Sequence, residues 1–117
     1  MIDTTSIHPF AACAKFATEF LDRIAAYDLE AAEAMIDVND SGADFASQFP
    51  NPEGFTYCPV DSIKNWVFYV VAADEDGFCC DFEVPFLEAE FRPMQARFTM
   101  RHIGKELQVC YNGLVPS

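Results

Sequence analysis

From Pro9 onward, apolar side chains recur every three or four residues: Phe10, Cys13, Ala14, Ala17, Phe20, Leu21 and Ile24. Lys15, Glu19, Asp22 and Arg23 fill the positions between. That period predicts an amphipathic helix over about 9–26, with Pro9 suited to its first turn. The alanine-rich run continues, but Tyr27-Asp28 interrupts it. Asp28 reads as an N-cap, because its carboxylate accepts from the free N–H groups of the next turn. Glu30 follows where negative charge suits the helix dipole. Leu29, Ala32, Met35 and Ile36 begin a new stripe, so a second helix is predicted over about 29–37.

Residues 38–61 are rich in Gly, Pro, Asn and Asp and read as a long loop, with one helical turn around Phe45 to Phe49. Its aromatics Phe45, Phe49, Phe55 and Tyr57 imply that it packs down on the core. Beyond it the pattern turns to β-branched and aromatic runs, predicting strands over about 65–73, 78–84, 95–101 and 106–111. The first pair turns at DEDG, residues 74–77, and the second around Ile103-Gly104. No repeat or linker divides the chain, so residues 1–117 are expected to form a single domain.

The registers follow from the turns. A two-residue turn at Ile103-Gly104 would set Met100 opposite Leu107, Phe98 opposite Val109 and Ala96 opposite Tyr111. The reverse face would pair Arg101 with Glu106, Thr99 with Gln108 and Arg97 with Cys110. In the first hairpin, a four-residue turn would pair Val71 with Cys80, Tyr69 with Phe82 and Val67 with Val84. That leaves Trp66, Phe68 and Val70 on the outer face with Asp81 and Glu83, an apolar stripe that calls for a partner or a cover.

Composition narrows the function. Nineteen acidic against seven basic residues give a net charge of −12, and no Lys/Arg cluster interrupts that field. Phosphate is repelled, which argues against nucleic acid and anionic membrane as partners. The acidity serves solubility or forms a face that meets a basic protein. No apolar run reaches the ~20 residues of a membrane span, and the opening MIDTTSIHPF lacks the features of a secretory signal, so a cytoplasmic location is expected. The five cysteines, Cys13, Cys58, Cys79, Cys80 and Cys110, have no metal-site spacing and read as reduced thiols used as small apolar residues. Neither metal nor cofactor is implied.

The segment FLDRIAAYDLEAAEAMID, followed by a loop and strands closing on RFTMRHIGKELQV, resembles the opening and final hairpin of the nuclear transport factor 2-like superfamily. Tyr27 stands where Gly is common in that pattern, and the usual third helix is reduced to a turn. The resemblance implies an α+β cone: two N-terminal helices packed on a strongly twisted antiparallel sheet of four or more strands. It also implies a cavity within the cone, and that an outer sheet stripe makes a homodimer. Small acidic bacterial proteins of this kind include immunity-type proteins, whose toxins are often basic.

On the expected registers, the cavity candidates are Tyr69, Tyr111, Cys80, Phe82, Phe98 and Met100. The candidates for a partner or dimer face are Trp66, Phe68, Val70, Asp81 and Glu83. An isomerase of that superfamily needs an inward carboxylate, and here Asp81, Glu83 and Glu106 fall outside. His8 and His102 read as solvated, and Tyr27 and Tyr57 as packing residues at most near a cavity mouth. No catalytic residue is assigned. The chain is expected to be a non-catalytic binding or interaction domain, probing either a second copy or a basic protein. The competing class is a carrier or isomerase/dehydratase-like enzyme, with Tyr69 and Tyr111 donating to a small apolar ligand. A further competing reading has Trp66 covered by the chain's own loop or C-terminal residues.

Overall fold

The computed structural model of the chain describes residues 1–49, 69–74, 77–84 and 94–116. Helix α1, Pro9–Ala25, begins as its sequence dictates. Pro9 occupies the first turn, and the His8 ring nitrogen Nδ1 accepts from the Phe10 N–H at 3.2 Å. The buried stripe is Ala12, Cys13, Phe16, Ala17, Phe20, Leu21 and Ile24. It is rotated slightly from the expected one: Phe16 lies inside, whereas Ala14 is exposed and Phe10 is 44% exposed. Phe10 instead stacks on His8 with centroids 5.3 Å apart, a first-turn residue overhanging the end of the core.

The interruption at Tyr27-Asp28 is a helix stop followed at once by a start. Tyr27 N–H donates to Ile24 O and Asp28 N–H to Arg23 O, both at 2.9 Å, the paired bonds of a Schellman ending. Such an ending needs a left-handed residue, and Tyr27 takes it with φ 54°. Glycine adopts that conformation without cost, so Tyr27 holds about 1 kcal/mol or more of strain that its packing must offset. Its ring packs against the core, and its hydroxyl reaches Phe49 O at 3.4 Å. Asp28 then caps α2, Leu29–Glu33, accepting from Ala31 N–H at 3.2 Å. Asp28→Ala is expected to cost about 1 kcal/mol in chemical denaturation, and Asp28→Asn much less. Equal losses from the two would mean that charge, not capping geometry, holds the helix start.

Helix α2 is shorter than the expected 29–37. Met35 N–H reaches Ala32 O and Ile36 N–H reaches Glu33 O, so the chain tightens into three-residue turns after Glu33. The cause is tertiary: Asp37 N–H donates to Val109 O, which draws the chain onto the sheet. The segment expected to be loop therefore opens with strand β2, Val38–Asn39. Further on, a 3-10 turn at Ala46–Gln48 matches the expected helical turn, and Phe45 and Phe49 on either side of it are buried. Residues 50–61, with Phe55 and Tyr57, lie outside the described residues.

The protein is α+β, and its sheet is mixed where an antiparallel one was expected. Four strands, β3 (Tyr69–Asp74), β4 (Gly77–Val84), β5 (Met94–Ile103) and β6 (Glu106–Pro116), run antiparallel in chain order. The far edge of β6 carries β1, Ile2–Asp3, antiparallel, and β2 parallel. These two-residue pieces have no periodicity to read in sequence. Residues 65–68 of the expected first strand lie outside the described residues.

Both expected registers need correction. Ile103 pairs with Glu106, so the second turn is Gly104-Lys105, with Gly104 at φ 63°. A turn at Ile103-Gly104 would have asked β-branched Ile103 for a positive φ; placing glycine first avoids that. The shift is two residues, so every side chain keeps its face while partners change: Met100 opposes Val109, Phe98 opposes Tyr111 and Arg101 opposes Gln108. The expected Arg101/Glu106 pairing is thereby lost. A second irregularity follows at Arg97/Phe98, where Asn112 is the extra residue on β6.

In the first hairpin, the ladder agrees with expectation near the turn, with Ala73 opposite Phe78, and then shifts between Val70 and Ala72. Val71 is the extra residue. Val70 is thus level with Cys80, and Tyr69 with Asp81, where Tyr69 opposite Phe82 and Val71 opposite Cys80 were expected. One bulge residue reverses the alternation of everything before it.

Candidate functional site

The inner face of the sheet and α1 meet in an aromatic core. Ala96, Phe98, Met100, Leu107, Val109 and Tyr111 are each 0% exposed. Phe98 meets Phe16 and Phe20 edge-on, with centroids at 5.1 and 5.2 Å, and Phe45 packs on Phe20 and Tyr111. Three of the cavity candidates, Tyr111, Phe98 and Met100, are therefore core residues. Cys80 and Phe82 sit at register positions opposite Phe98 and Ala96.

Tyr111 carries one of the two phenols expected to meet a ligand, and that phenol is engaged. Its hydroxyl donates to Gln48 Oε1 at 2.9 Å. Gln48 Nε2 donates to Ser41 Oγ at 2.9 Å, and Ser41 Oγ donates to Asn39 Oδ1 at 2.5 Å. Burial holds the phenol well above its ordinary pKa, so it remains a neutral donor. Gly113 lets this loop approach β6: at φ 111°, a Cβ there would lie 3.3 Å from Ser41 Cβ. None of Gln48, Ser41 and Asn39 was singled out from sequence. The only signal was the turn chemistry of Asn39-Asp40-Ser41-Gly42, which fixes a tight loop without naming its partner.

Of the partner-face candidates, Val70, Asp81 and Glu83 lie on the described strands. Trp66 and Phe68 lie outside the described residues. Val70 is level with Cys80 and hence with Phe98, whereas Tyr69 is level with Asp81 and Arg97. Glu83 pairs with Gln95. His8 is a helix cap, and His102 is exposed opposite Leu107. Cys13 and Cys110 are buried free thiols, and burial is the main cause that pushes the Cys110 thiol up. Among the described residues, no group of three or more His, Cys, Asp or Glu side chains is placed to hold a metal ion. No helix among them is long and apolar enough to cross a membrane.

Asp37 was also missed by sequence. One carboxylate oxygen accepts from Val109 N–H at 2.7 Å and the other from the Met1 ammonium at 2.9 Å. It is among the residues lining an open cleft of about 600 Å³ between α2 and the 3-10 turn. Leu29, Ile36, Phe45 and Ala46 supply its apolar lining, and Glu30 and Glu33 supply acid. A smaller cleft of about 330 Å³ lies between the N-terminal strand and α1, with Lys15 and Glu19 among its lining residues. Tyr111, Phe98 and Met100 line neither.

No protein-family model, curated protein or solved structure matches the chain.

Proposed function

We propose that this chain is a small non-catalytic interaction domain, built as an α+β cone of the nuclear transport factor 2-like kind, that meets a basic protein through its acidic surface. The observation that carries the reading is the engagement of Tyr111. The phenol of Tyr111 is committed to Gln48 inside a packed aromatic core, and it is not poised toward a ligand. The net charge of −12 then supplies what the interior does not: a long-range attraction for a cationic partner, and faster encounter with it. An immunity-type role, with a toxin as the basic partner, is the narrower form of this reading.

Selection of a displayed random-peptide library against the immobilised chain tests it. Enriched sequences are expected to be rich in Lys and Arg and to bind less tightly as salt is added. Neutral or acidic winners, or affinity indifferent to salt, would overturn the proposal.

A further inference from the structure

Resting on that reading, we infer that the cleft between α2 and the 3-10 turn is the docking groove, and that its occupant is a cationic amphipathic segment of the partner protein. The groove has the two chemistries such a segment needs. Its apolar side is made by Leu29 and Ile36, which are half-buried against the core, and by exposed Ala46 next to the buried Phe45. Its acid comes from Glu30 and Glu33, three residues apart on α2, a spacing that sets neighbouring side chains on one helix face. Both are exposed, and no hydrogen bond or ion pair among the described residues occupies either carboxylate. Asp37 differs, since both its oxygens are engaged, so the cation is assigned to the glutamates.

Among the described residues, no Lys or Arg lines the groove to compete for these two acids. Size and shape favour a segment over a small molecule. At about 600 Å³ the cleft is large enough for several side chains, yet it is open-sided and so would leave a compact ligand mostly in water. A lysine or arginine stem lies well on an apolar wall while its head reaches a carboxylate. The walls are anchored: Phe45 is 1% exposed, and the segment joining α2 to the 3-10 turn is tied to β6 through the Asp37 and Asp40 N–H groups. A preformed groove of this kind avoids an ordering cost on binding.

A short amidated peptide alternating lysine and leucine, titrated into the full chain by calorimetry, is the probe. The double variant Glu30→Gln/Glu33→Gln is expected to weaken binding roughly tenfold, and Ala46→Arg, which fills the groove with a like-charged side chain, to do the same. An equal charge change elsewhere on the surface, Asp22→Asn/Glu106→Gln, is expected to weaken it by less than about twofold, because both residues are exposed and neither lines the groove, so salt screens their pull on its occupant. Equal weakening by both double variants would overturn the groove while leaving the acidic-surface reading standing. Absence of binding to the unaltered chain would overturn both. Self-association of the chain without peptide, lost in Ala46→Arg, would also overturn the inference, because a second copy would then be the occupant.

Discussion

Phe98→Ala is expected to destabilise the fold by about 3–5 kcal/mol, the usual cost of deleting a fully buried ring. Phe98 is 0% exposed and packs on Phe16, Phe20 and Tyr111, so its loss opens a hole between α1 and the sheet that three other rings cannot close together. A domain of this size has only about 5–15 kcal/mol to lose, so the variant should approach unfolding at physiological temperature. Phe10→Ala supplies the contrast. The helical period gives Phe10 the same standing as Phe20, yet it is 44% exposed and should change stability by no more than about 0.5 kcal/mol. Urea denaturation with an unchanged slope measures both. Comparable losses from the two variants would mean that the buried stripe of α1 is the one its periodicity suggests, with Phe10 inside.

That contrast shows where the sequence was readable. Helix α1, the Asp28 cap and the helical turn between Phe45 and Phe49 rest on local rules, and each was legible. So were the two faces of the β5–β6 hairpin, because a strand's period of two survives a register error of two. Single-residue events were not legible. The extra residue Val71 reverses the places of Tyr69 and Val70, and nothing in a run of valines and alanines marks which one bulges. Helix α2 ended early because Asp37 is bound to Val109, 72 residues away, a contact that no local pattern encodes. The same holds for the surroundings of Tyr111. Its burial followed from alternation, but Gln48, which decides whether the phenol is available, comes from a turn whose side-chain directions only the tertiary structure sets. The groove was hidden for a like reason: Glu30 read as a dipole partner, and the wall facing it belongs to another segment.

Tyr111→Phe should separate the phenol's structural role from any chemical one. At neutral pH the variant is expected to lose about 1–3 kcal/mol, since Gln48 Oε1 keeps its part-buried place without its donor. Above pH 10 the difference should shrink. An exposed phenol ionises near 10.0, whereas burial holds Tyr111 in the folded chain well above that. Between the two values the unfolded chain has released a proton that the folded chain keeps, so rising pH favours unfolding by about 1.4 kcal/mol per unit. Below pH 10 the contribution of the buried phenol is fully present. It is lost progressively as pH climbs toward the folded value. The variant lacks this slope, so the two stability curves should meet roughly one to two pH units above 10. Cys110, also raised by burial, adds a similar slope to both proteins and cancels in the comparison. Curves that stay parallel through this range would mean that Tyr111 ionises as freely in the folded chain as in the unfolded one. A phenol that accessible would be open to a ligand, and the case for a surface-acting domain would fail at its central residue.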